Sequence, residues 1–239
     1  MPSLVVIHSG ADIMSDMAVK FSGVLLDFAG TLFDQEDERE TLRAIGVVTP
    51  QSADVALALS RADQLAATPA LMPPGLARQW ERRDLTAEAH RAAYAELLRE
   101  AGLPPEVADA FYARACSPQA WFPFDDTVSC LRSLRARQIP VAVVSNIGWD
   151  LRPVFDLHGV LSLVDAFVLS YEFGAMKPEA RLFSAACDAL GVVPDEALMV
   201  GDSVDSDGGA TAIGCTFSHL SLPRVRGALS SALAPVIGE

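Results

Sequence analysis

Lysine is almost missing from this chain: of 18 basic side chains, only Lys20 and Lys177 are lysines. A lysine standing inside a motif is therefore poor filler. Basic groups are outnumbered as well, with 31 carboxylates and a formal net charge of −13. A surface of that sign repels phosphodiester backbones, so no nucleic-acid partner is expected. The cysteines Cys116, Cys130, Cys187 and Cys215 are scattered, with no Cys-x-x-Cys spacing. They read as reduced thiols of a reducing compartment rather than disulfides or a zinc site. No apolar run approaches the ~20 residues of a membrane span, so no membrane partner is expected. The short apolar stretch Val5-Val6-Ile7 has no basic region before it, unlike a signal peptide. The expected location is cytoplasmic.

What is present is apolar. Hydrophobic residues make up 51% of the chain and charged residues 21%, which excludes a disordered polymer. Residues 1–20 read as a loosely held extension, with a stray strand at Val5–Ile7 or a start assigned too far upstream. Residues 36–118 read as helical throughout. Thr49-Pro50 supplies a cap and first turn for a helix through about Ala67. Pro69, Pro73, Pro74 and Gly75 break it. Thr86 opens a second helix that Gly102 ends, and Pro104-Pro105 starts a third, through about Cys116. Residues 119–220 alternate, with strands near 140–144, 165–169, 197–201 and 215–219. Helices fall between them near 126–137, 150–158, 179–190 and 207–213. With a strand at 24–28, this pattern predicts an α/β fold, a doubly wound, Rossmann-like parallel sheet. Residues 21–35 and 119–239 would form that core, interrupted by the helical insertion 36–118. The tail after Leu222 forms a last helix or frays.

Four segments carry chemistry. Val24-Leu25-Leu26-Asp27 is a buried strand delivering one carboxylate to a sheet edge, followed at once by the turn Phe28-Ala29-Gly30-Thr31. Val141–Ser145 is an apolar strand ending in a hydroxyl, and Asn146 follows it. Gly174-Ala175-Met176-Lys177-Pro178 sets one of the rare lysines before a helix, with Pro178 suited to its first turn. Leu198–Gly201 ends in Asp202, and Asp207 lies five residues on. Taken singly each has a bland explanation. Asp207 could cap a helix, Asn146 could make a turn, and Lys177 could be a solvated surface lysine.

In order and together, the four segments resemble the motifs of the haloacid dehalogenase (HAD) superfamily, whose nucleophile motif is Asp-x-Asp-Gly-Thr. The resemblance covers residues 22 to 220, and the helical insertion resembles the family's C1-type cap. It implies a hydrolase acting on a small, anionic phosphorylated metabolite, with Asp27 as the nucleophile that forms an aspartyl intermediate. It implies Ser145, the backbone N–H of Asn146, and Lys177 as the groups that hold the transferred phosphoryl oxygens. It implies Mg²⁺ as cofactor, held by Asp27, Asp202 and the backbone carbonyl of Ala29. Asp207 then serves through water or as an orienter of Lys177.

The departure is Ala29, which stands where the phosphatases carry their general acid. Four readings follow. The enzyme handles leaving groups that need little protonation, such as acyl or aryl phosphates, or another residue supplies the proton. It resembles phosphonoacetaldehyde hydrolase, which needs a cap lysine that residues 36–118 lack. It resembles the 2-haloacid dehalogenases, against which Gly201-Asp202 argues. Or it is an impaired member that binds a phosphorylated ligand or partner. Candidates for substrate recognition are Arg43, Trp80, Arg82, Arg83 and His90 in the insertion, with Trp149 and Asp150 beside the core cleft. Each is equally well explained as a surface or packing residue.

Overall fold

The computed structural model describes residues 21–47 and 52–238. The expected extension over 1–20, its strand at Val5–Ile7 and the Thr49-Pro50 helix start lie outside the described residues.

Five parallel strands form the central sheet: β1 (Gly23–Leu26), β4 (Val141–Ser145), β5 (Ala166–Leu169), β6 (Ala197–Gly201) and β7 (Thr216–His219). Their order is β5-β4-β1-β6-β7, with β1 in the middle. β1 pairs with β4 on one side, Leu26 opposite Val143, and with β6 on the other, Leu26 opposite Val200. Alternate residues of β1 feed two different cores. Val24 and Leu26 join one cluster with Phe28, Phe33, Leu131, Phe155 and Leu233. Leu25 joins a second, with Met199, Leu182 and Phe183. Burial on both faces explains why these strands read as continuous apolar runs rather than alternating ones. The flanking helices are α6 (Thr127–Ala136), α7 (Arg152–Leu157), α8 (Ser170–Phe173), α9 (Ala180–Leu190) and α10 (Ala228–Ile237). The tail thus ends in a helix, whose Leu229 and Leu233 are buried.

The insertion contains α1 (Glu38–Ala44), α2 (Ser52–Ala67), α3 (Pro74–Glu81), α4 (Ala87–Ala101) and α5 (Pro105–Ala115). It buries a third cluster of its own, including Leu59, Leu76, Trp80, Leu97 and Leu103. The expected signals around α4 operate: Thr86 accepts a hydrogen bond from the Ala89 N–H at 3.0 Å, and Gly102 ends the helix in the left-handed conformation. Both chain crossings between insertion and core pair as an antiparallel ribbon, β2 (Phe33–Gln35) against β3 (Trp121–Pro123).

One local expectation is extended and two are corrected. The proline cluster breaks α2, but Pro74 then occupies the first turn of α3, because a missing N–H costs nothing there. Residues Asp207–Ile213 form a 3₁₀-helix rather than an α-helix. Pro178 does not open α9; the peptide between Lys177 and Pro178 is cis, and the helix starts after Glu179.

Candidate active site

Parallel strands present all their carboxyl ends at one edge, which brings the separate motifs together. Asp27 follows β1, Ser145 closes β4 and Asp202 follows β6, and both Asp27 and Ser145 are buried. Lys177 is also buried. Its Nζ donates to Asp27 Oδ1 and to Asp207 Oδ1, each at 2.6 Å. The second oxygen of Asp207 accepts from the Ser203 N–H at 3.0 Å, so both oxygens of that carboxylate are engaged. Lys177 takes only one oxygen of Asp27. Carboxylate oxygens of Asp27, Asp202 and Asp207 lie within 4.8 Å of one another.

Asn146 acts through its side chain. Its Oδ1 accepts from the Lys177 backbone N–H at 2.7 Å, and its Nδ2 donates to the Lys177 carbonyl at 3.0 Å. This two-point clasp fixes the backbone from which the buried ammonium projects. A turn-forming asparagine was the bland expectation; the structure uses it to tie the end of β4 to Lys177.

Gly30 explains the Gly-Thr turn. Its φ is +73°, and a Cβ there would stand 2.5 Å from Asp202 Oδ2. Only glycine permits both the left-handed backbone and the approach of that carboxylate.

The electrostatics are those of an undercompensated anionic cluster. Burial pushes the Asp27 carboxyl up to about 6, and Asp207 and Asp202 reinforce this against the opposing pull of Lys177. Burial, then Asp207, likewise raises Asp202. Burial disfavours the Lys177 ammonium, but Asp27 and Asp207 outweigh it and hold the lysine charged.

Ala29 is exposed at the edge of a cavity of about 640 Å³ between the insertion and the sheet edge. Trp80, Arg83, His90 and Trp149 line the same cavity. Arg43, Arg82 and Asp150 do not; all three are exposed, and Asp150 pairs with Arg152 at 2.8 Å. Two lining groups escaped sequence reasoning. Tyr112 hydrogen-bonds His90 Nδ1 at 2.8 Å, and Asp84 is a buried carboxylate. No local pattern marks either, since Asp84 reads only as an acid in a charged stretch before a helix cap.

Comparison with known proteins identifies the family. A family model for haloacid dehalogenase-like hydrolases matches residues 21–213. The chain is 30% identical over 118 residues to haloacid dehalogenase-like hydrolase domain-containing protein 3 of Bos taurus, covering 49% of this chain and 47% of that protein. It is 33% identical over 120 residues to a phosphoserine phosphatase of Thermus thermophilus, covering 48% and 47%. The chain thus spans about half the length of the curated relatives it matches. A crystal structure of a dehalogenase superposes with a TM-score of 0.65 at 20% identity, covering 92% of this chain and 98% of the other, a likeness of fold. The family model spans the whole succession of motifs from Asp27 to Asp207, and the chain belongs to the haloacid dehalogenase-like hydrolases.

Proposed function

We propose that the protein is a Mg²⁺-dependent phosphatase of small phosphorylated metabolites that works through an aspartyl phosphate on Asp27. The observation that carries this reading is the charge of the cluster: three carboxylates lie within 4.8 Å of one another, and one buried ammonium bonds two of them. Such a donor set fits a hard divalent cation. Asp27, through the oxygen Lys177 leaves free, Asp202 and the Ala29 carbonyl would hold it. Asp207, with both oxygens engaged, serves as the group that positions Lys177. The cation, when bound, offsets the repulsion between the attacking carboxylate and the phosphoryl oxygens.

The remaining roles fall to the chain's own groups. Lys177 and Ser145 face the oxygens of the phosphoryl group, and Asn146 keeps Lys177 in register. The methyl of Ala29 can neither donate nor accept a proton. General acid–base help is typically worth ~10²–10⁴ in rate. Esters whose leaving groups need little protonation, aryl and acyl phosphates, are therefore the preferred class.

A dehalogenase reading takes its support from the same alanine, since a departing halide needs no proton. Asp202 weighs against it, because halide displacement has no use for a third acid in the cluster. Para-nitrophenyl phosphate, acetyl phosphate and 2-chloropropionate, each with Mg²⁺ and with EDTA, separate the two. Mg²⁺-dependent phosphate release is the expected result. Metal-independent chloride release without phosphate release would overturn the proposal.

A further inference from the structure

The cavity holds a buried acid that the reading above leaves unused and that no hydrogen bond among the described residues ties down. Asp84 sits in the short 3₁₀ turn Arg83–Leu85 of the insertion, and its side chain is only 4% exposed. No hydrogen bond reaches its carboxylate among the described residues. The nearest cationic groups are Arg83 Nη2 at 3.5 Å and His90 Nε2 at 3.6 Å. Neither donates a hydrogen bond to it, and only Arg83 carries a charge to set against it. Arg83 stacks on the Trp80 ring, 4.2 Å from its centre, and donates to the Trp80 carbonyl at 2.8 Å. His90 is kept neutral: burial and the Arg83 charge lower its pKa to about 4. From α4, Tyr94 is buried beside the pair. From α8, Glu172 turns away to Arg152 at the surface. A buried carboxyl with no hydrogen bond and only a long ion pair is poorly solvated in its charged form, and burial does raise Asp84, against the pull of Arg83 and Lys177.

Its position is fixed on the core rather than left to the insertion. Ser170 Oγ lies 2.7 Å from the Asp84 carbonyl and accepts from the Ile147 N–H at 2.9 Å. The turn bearing Asp84 is thereby fastened to the segment just after Ser145-Asn146. One turn further along, a Cβ on Gly148 would stand 2.2 Å from the His90 side chain, so insertion and core meet there without a gap. Asp84, Asn146 and Ala29 line one cavity. The other acids lining the cavity are engaged elsewhere or outlying: exposed Asp37 caps α1 by accepting from the Glu40 N–H, and half-buried Glu38 is engaged with Asp63. Arg114 grips both oxygens of Glu36, and Asp63 is exposed.

We infer that Asp84 is the proton-transfer group of this active site, placed in the insertion to do what Ala29 cannot. The inference rests on the phosphatase reading. As Asp27 attacks phosphorus, the bond from phosphorus to the leaving oxygen breaks, and that oxygen takes the Asp84 proton and departs as an alcohol. The Asp84 carboxylate then takes a proton from water as the water oxygen attacks the same phosphorus. The bond to Asp27 breaks, releasing inorganic phosphate, the Asp27 carboxylate and a reprotonated Asp84. The substrate class widens accordingly, to alkyl phosphate monoesters as well as aryl ones.

The test compares kcat/KM for benzyl phosphate, a poor leaving group, with that for para-nitrophenyl phosphate, a good one of similar shape. That quantity covers the steps up to leaving-group departure, so water activation does not enter. Asp84→Asn should lower the benzyl-to-nitrophenyl ratio by about 10²-fold, the size of general acid help. Ala29→Asp added to Asp84→Asn should restore it. Damage to folding moves both esters together and leaves the ratio alone, and an unchanged ratio overturns the inference. If Asp84→Asn does not fold, Ala29→Asp alone serves. With a donor already present, the ratio should rise less than about tenfold, and a rise of about 10² overturns the inference. Unmutated protein that cleaves only the nitrophenyl ester sinks this inference and spares the phosphatase reading. Protein that cleaves neither ester with Mg²⁺ sinks both.

Discussion

Lys177→Met tests the electrostatic core of the site most directly. The ammonium lies 2.6 Å from a carboxylate oxygen of Asp27 and 2.6 Å from one of Asp207, and its side chain is 3% exposed. Methionine keeps the length and apolar bulk of the stem but deletes the charge. Removing one partner of a buried ionic cluster strands the others, at a cost of about 3–5 kcal/mol. For a chain of this size each kcal/mol moves the melting temperature roughly 2–4 °C, so a fall of about 6–20 °C is expected near pH 8. The loss should depend on pH, with a definite sign. Folded Asp27 already titrates at about 6 against 3.8 for a free aspartate. Folded protein therefore holds a proton that unfolded chain releases, and stability falls as pH rises between those values. Lys177 is the group that pulls Asp27 down, so its loss extends this window above 6. Protonation of Asp27 at pH 5 relieves part of the stranded charge, and variant and unmutated protein should differ least there. Thermal melts followed by circular dichroism in EDTA, at pH 5 and pH 8, read both effects. A penalty equal at the two pH values, or below about 1 kcal/mol, would show that Lys177 is not what holds the charge of Asp27 and Asp207 in place.

Asp202→Asn should weaken Mg²⁺ binding at least tenfold in calorimetric titration while changing the melting temperature in EDTA little, because its carboxylate is half-exposed. Asn146→Ala removes both hydrogen bonds to the Lys177 backbone. It should cost about 1–3 kcal/mol in chemical denaturation and lower kcat more than it raises KM. Gly30→Ala forces a side chain into the left-handed region and against Asp202. A loss of at least about 1 kcal/mol is expected together with impaired Mg²⁺ affinity, and a fully stable variant with normal affinity would refute that account of the turn.

The strand-borne part of the site was legible in the linear chain for a physical reason. An apolar run buried on both faces has one place to put a carboxylate, the end where the run stops, and parallel strands carry those ends to a common edge. That placed Asp27, Ser145 and Asp202 without any knowledge of contacts. Scarcity marked Lys177, since a chain with two lysines has little reason to spend one beside a proline except for its charge. Local capping rules read the ends of α4 for the same kind of reason: Thr86 and Gly102 act on backbone groups within a few residues of themselves.

The remaining features were decided by closure of the tertiary structure. Pro74 could end one helix or begin the next, and the packing of Leu76 and Trp80 against the insertion's core selects the second. Ribbon β2–β3 pairs segments some 90 residues apart, beyond any local periodicity. The clasp of Asn146 on Lys177 spans 31 residues, and the tether from Ser170 to the Asp84 carbonyl spans 86. An aspartate in a charged stretch carries no mark of burial until folding removes its water and sets it against the sheet edge. The absence at position 29 was plain in the sequence, whereas the buried acid that lines the same cavity became visible only when the insertion was laid over the core.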